Sequence, residues 1–100
     1  MKSKRSKACD ISSKVRAEVR ERDSDRCIFC GRWLASPQLA HYISRGRGGL
    51  GIARNLTCVC PECHMELDQG SHTKEYEEIQ KKYLQSCYSD WQEEELFYRK

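Results

Sequence analysis

The chain lacks any long apolar run. None of its 100 residues lies in a stretch approaching the roughly 20 apolar positions that a membrane span needs. It also opens without the apolar segment that would direct secretion. Internal repeats are missing apart from two Cys-x-x-Cys knuckles. Hydrophobic residues are scarce, 38% of the chain against 33% charged, so burial alone leaves a domain of this size marginal and leaves room for one domain only. What the chain has instead is cysteine: seven, an odd number. The choice lies between disulfides and metal. The odd count, the missing secretory segment and the paired knuckles favour a reduced, metal-binding, cytoplasmic protein with no membrane partner.

The net charge of +3 conceals a division. Residues 1–54 carry 13 Lys or Arg against 5 Asp or Glu, whereas residues 55–100 carry 5 against 10. A basic half of this kind fits a polyanion, with nucleic acid the commonest. For Lys2, Lys4, Arg5 and Lys7, a solubilising tail explains the charge equally well.

Residues 1–10 show no apolar period and read as a flexible basic tail ahead of a single domain over 11–100. Ser12 or Ser13 caps an amphipathic helix that docks by Val15, Ala17 or Val19 and ends at Asp23 to Asp25. It leaves Lys14, Arg16, Arg20 and Arg22 to water or phosphate. Cys27-Ile-Phe-Cys30-Gly31 is a compact knuckle whose glycine permits a positive φ. Gln38 to Ile43 reads as a strand, Ser44 to Gly51 as a glycine-rich loop whose backbone can approach another molecule closely, and Asn55 to Val59 as the antiparallel second strand. A helix from His64 to Gln69 stops near Gly70, and a longer one runs from Thr73 to about Cys87 with Tyr76, Ile79, Tyr83 and Leu84 at helical spacing. Ser89-Asp90-Trp91-Gln92 has the form of a capping box opening a last short helix.

Cys27, Cys30, Cys60 and Cys63 follow C-x2-C-x29-C-x2-C, the arrangement of a closed, structural Zn²⁺ site. The competing reading is buried or disulfide-bonded cysteine. Cys58 falls outside the knuckle spacing and is assigned to the core, Cys9 to the tail and Cys87 to a helix face. His41, Asn55, His64 and Asp68 remain. His64 and Asp68 lie four apart and share a helical face, and a strand histidine opposite them suits a divalent ion with open positions.

Over about Arg26 to Gly70, the knuckle, H-Y-I-S-R-G-R-G-G, Asn55-Leu56 and C-P-E-C-H together resemble the HNH endonuclease superfamily, the ββα-metal nucleases. Residues 73–100 resemble the C-terminal extension of small phage and prophage members. The resemblance implies an α+β, zinc-stapled, treble-clef-like fold and a nuclease that hydrolyses DNA phosphodiesters. It implies His41 as general base, Asn55 as a brace that orients it, and His64 as ligand of a catalytic Mg²⁺, Mn²⁺ or other divalent ion. One position departs. The family usually has Asp or His immediately before the base, and here it is Ala40, so Asp68 is the proposed substitute, with help from the Asn55 amide oxygen.

Taken singly, each residue has a plainer explanation: His41 as a satisfied core histidine, His64 as an incidental helix residue or a zinc ligand replacing a cysteine. His72 lies outside the motif, at the surface. Arg45 and Arg47 in the glycine loop suit phosphate oxygens, or are solvated loop charges. No base-reading module is visible, so contacts to DNA would fall mainly on its backbone. The alternative function is a noncatalytic zinc module that binds nucleic acid or a phage packaging protein.

Overall fold

The computed structural model describes residues 3–99; Lys2 and Lys100 of the basic tail and C-terminal extension lie outside them. The fold is a small α+β arrangement. Its order is α1 (Lys4–Cys9), α2 (Ser13–Arg22), β1 (Gln38–His41), β2 (Leu56–Val59), α3 (Pro61–Gln69) and α4 (Thr73–Cys87), with 3-10 turns at Arg45–Arg47, Ala53–Asn55 and Glu93–Leu96. No helix among the described residues is long and apolar enough to cross a membrane.

The two strands pair antiparallel, Gln38 with Val59 through to His41 with Leu56. Strand alternation sends Leu39 and Ala40 to different sides of this ribbon. Ala40 packs with Cys27, Val59, Cys60, Cys63 and Leu67, while Leu39 joins Val19, Ala53, Leu56 and Cys58. α2 is capped by the Ser12 hydroxyl, which accepts from the Val15 N–H, and buries Val19; Ala17 is exposed and takes no part in docking. A third cluster, Ile43, Leu84, Trp91 and Leu96, holds the C-terminal segment.

Residues 4–9 are not a flexible tail. They form α1, capped by Ser3, with Cys9 buried. The apolar period was too short to reveal it, because a single buried side chain and several backbone bonds hold the helix. The capping box at Ser89 also does not form. The Glu93–Leu96 turn starts after Gln92 without a side-chain cap, and Trp91 is buried instead, donating its indole N–H to the Arg54 carbonyl at 2.7 Å. On α4, Ile79 faces solvent, and the buried position one residue on is Gln80, whose amide donates to the Ala40 carbonyl and the Thr57 hydroxyl.

A polar hub ties α2, β2 and α4 together. Buried Asp23 accepts from the Arg22 guanidinium at 2.7 Å, from the Cys58 N–H at 2.9 Å and from the Tyr83 hydroxyl. A buried carboxylate is tolerated only when its oxygens are satisfied in this way.

Candidate functional site

The first knuckle is held to the second through the sheet. The Cys27 N–H bonds the Arg32 carbonyl, Gly31 sits at φ 77° to close the turn, and the Ile28 N–H donates to the Cys58 carbonyl at 3.1 Å. Pro61 begins α3, whose cap is Cys60: its sulfur accepts from the Cys63 N–H at 3.3 Å. The sulfurs of Cys27, Cys30, Cys60 and Cys63 consequently lie within 4.8 Å of one another. Zn–S bonds near 2.3 Å place tetrahedral sulfurs about 3.8 Å apart. The Cys30 and Cys60 sulfurs are 3.8 Å apart.

None of the seven cysteines is in a disulfide. Burial pushes the Cys27 thiol up, but backbone N–H groups of Cys30, Cys60 and Phe29 outweigh it and bring it to about 7. Burial pushes Cys60 up against the hydrogen bonds from Cys63, with the Cys27 and Cys30 sulfurs adding to the rise, and Cys63 is pushed up by burial and by the Cys60 and Cys27 sulfurs. Four sulfurs at this separation cannot all ionise unaided, and a divalent cation removes that obstacle. The donor set therefore fits a metal ion such as zinc. Cys58 stands apart, its thiol directed to the Val19 carbonyl, and burial beside Asp23 pushes it up to about 12.

Beside this centre lies a cleft of about 610 Å³ whose lining includes His41 from β1, His64 and Asp68 from α3, Arg45 from the glycine loop and Arg16 from α2. A smaller cavity, also bordered by His41, is lined by Ser44, Arg47, Asp68 and Glu77. His41 is half-buried. Its Nε2 lies 3.0 Å from the Cys9 carbonyl oxygen, which can only accept, so Nε2 carries the proton and Nδ1 is the basic nitrogen of the neutral ring. Burial holds its pKa below the usual histidine value; Arg45 and His64 push the same way against the Cys9 carbonyl.

His64 shows a complementary arrangement. Its Nδ1 lies 2.7 Å from the Gln38 side-chain oxygen, and in the neutral ring that bond leaves Nε2 with its lone pair, 3.5 Å from an Asp68 oxygen. Two facing lone-pair atoms at that distance fit two adjacent ligands of a divalent ion. Gln38 was not singled out from the sequence, since nothing in a strand's first residue signals a partner on a distant helix. Its role matches the general pattern in which a ligand histidine's second nitrogen is bonded elsewhere.

Neither a family model nor a curated protein matches the chain. Its residues must speak for the site, and several of them stand differently from expectation. Asn55 is fully buried and its side chain is committed to the loop: the oxygen accepts from the Ile43 N–H at 2.8 Å, and the amide donates to the Ile43 and Leu50 carbonyls. It braces the connection after β1, with its oxygen buried against the Ile43 N–H. Ala40 is 2% exposed and enclosed by the cysteine cluster, so packing fills that position.

The loop arginines are engaged as well. Arg45 donates to the Cys9 carbonyl and to Asp10, both at 2.7 Å, and Arg47 lies over the Phe97 ring at 5.6 Å. Arg20 pairs with Asp25 and bonds the Ala35 carbonyl, which makes it part of the scaffold; Lys14 and Arg16 are exposed. The glycine loop itself is covered on two sides. Gly51 donates to the Ala8 carbonyl, Leu50 donates to the Leu96 carbonyl, and Tyr98 donates to the Gly48 carbonyl.

Proposed function

We propose that the chain is an HNH-type, metal-dependent endonuclease that hydrolyses DNA phosphodiesters, with zinc at the four cysteines and a second divalent ion, such as Mg²⁺ or Mn²⁺, at His64 and Asp68. The carrying observation is the single cleft in which a neutral histidine, a histidine with a carboxylate, and two arginines meet. When bound, the second ion would hold the scissile phosphate and offset its developing charge. Nδ1 of His41 takes a proton from the attacking water, which a ring kept neutral at physiological pH can do. Gln38 sets the orientation of His64. Arg45 and Arg16 hold phosphate oxygens, with Arg45 exchanging its carboxylate partner Asp10 for the substrate. Asn55 acts at a distance by fixing the loop that follows His41. The resemblance of residues 73–100 to the C-terminal extension of small phage and prophage members supports a phage or prophage setting.

The test is plasmid nicking by purified protein with Mg²⁺, Mn²⁺ or Ni²⁺. Nicking with at least one ion, lost in His41→Ala, is expected; absence of nicking with all three, or full activity in His41→Ala, overturns the proposal.

A second reading, a noncatalytic zinc module that binds nucleic acid or a packaging protein, is favoured by a different observation. Among the described residues, the four cysteines are the one group of three or more metal-ligating side chains whose ligand atoms converge. Salt-sensitive DNA binding without cleavage, unchanged in His64→Ala, supports it.

A further inference from the structure

The N-terminal helix lies outside the ββα motif, yet it supplies the contact that orients His41. The Cys9 carbonyl, at the last residue of α1, receives both the His41 ring N–H at 3.0 Å and the Arg45 guanidinium at 2.7 Å. That end of the helix is fastened to the glycine loop at several points. Gly51 donates to the Ala8 carbonyl at 2.9 Å, Arg5 donates to the Gly46 carbonyl at 2.8 Å, and Arg45 pairs with Asp10 at 2.7 Å. The fit at Gly51 admits no side chain: a Cβ there would collide with the Asp10 carbonyl group and stand 2.9 Å from the Cys9 oxygen. Cys9 itself is 2% exposed.

We infer that α1 is a positioning element whose Cys9 carbonyl fixes the ring orientation and tautomer of His41 and the place of Arg45, with Gly51 as the interlock that sets its distance. A neutral imidazole has one proton to place. With Nε2–H held by a carbonyl, Nδ1 is the nitrogen available to a water, and the ring cannot turn without breaking that bond. Arg45 on the same oxygen couples the phosphate-binding side chain to the base. Neither link passes through the zinc centre. Only the catalytic consequence rests on the nuclease reading; the orientation of the ring does not.

The experiment uses the full, zinc-loaded chain labelled with ¹⁵N, and observes histidine side-chain N–H resonances at mildly alkaline pH. His64→Asn and His72→Asn variants identify the signal of His41. In the parent, a His41 Nε2–H proton protected from solvent exchange is expected, with Nδ1 unprotonated. In Gly51→Ala, with zinc content unchanged, that protection is lost, and nicking falls on the order of 10²-fold, as for a reacting group displaced by about 1 Å. Should Gly51→Ala fail to load zinc, the double variant Arg5→Ala, Asp10→Ala loosens the same helix from the surface and is read in the same way. Protection that persists in the variant that loads zinc, or an Nδ1–H in the parent, overturns the inference. A parent that never nicks DNA but shows and loses the protected proton as described supports the positioning role and removes the nuclease reading.

Discussion

Asn55 carries more of the loop than any charged residue near it. Its three hydrogen bonds join Ile43 and Leu50 across the connection between the strands. Asn55→Ala leaves buried backbone groups without partners and is expected to cost about 2–3 kcal/mol, read by urea unfolding of the zinc-loaded protein. His41 has a signature of its own. Burial, helped by Arg45 and His64, lowers its pKa from 6.5, so the folded protein binds its proton less readily than the unfolded chain does. The stability this residue contributes is therefore full above pH 6.5 and declines as pH falls below it towards the lowered value. NMR titration should place the His41 midpoint below 6.5, and a midpoint above it would contradict the burial seen here.

At the scale of elements, the knuckles divide the cysteines by position. Cys58 belongs to β2, where it faces Val19, and Cys60 caps α3. Cys27→Ala should abolish stoichiometric zinc, with the loss of most of the about 10–16 kcal/mol that such sites provide. Cys58→Ala should keep it, as measured by metal analysis after dialysis. The four-cysteine group, both strands, α2 and α4 were legible in the sequence, because spacing and apolar period report local geometry directly. α1 was not, since it is attached by backbone carbonyls, the polar contacts of Arg5 and Asp10 and one buried cysteine, which leave no period. Gln80 was hidden for a similar reason: a polar residue is buried when a strand carbonyl awaits it, and only the packing of α4 on β1 reveals that. The grouping of His41, His64 and Asp68 around one cleft followed from the strand and helix assignments, whereas the commitment of Asn55 to the loop needed coordinates.

For the whole molecule, three arginines of the basic half stand beside His41. Arg16 and Arg45 line the larger cleft and Arg47 the smaller cavity, while the acidic half lies mostly in α3, α4 and the C-terminal segment. If these three arginines meet phosphates, the logarithm of DNA affinity should fall against the logarithm of salt with a slope of about −3. Fluorescence anisotropy across a salt series measures it, and a flat response would leave no role for DNA. Arg45→Ala and Arg47→Ala should each make the slope shallower by about one.

Cys63 and His64 are consecutive residues of α3, one turned to the cysteine cluster and the other to the cleft. Each residue of an α-helix advances the next by about 100° around the axis. The angular phase of His64 is thus locked to that of Cys63, and a single residue inserted between them would carry His64 and Asp68 together about 100° away from the cleft while the four sulfurs kept their places. The four-cysteine group and the cleft share one peptide bond as their common hinge pin, so the proposed second ion site can be altered by substitution but not by changing the length of this segment.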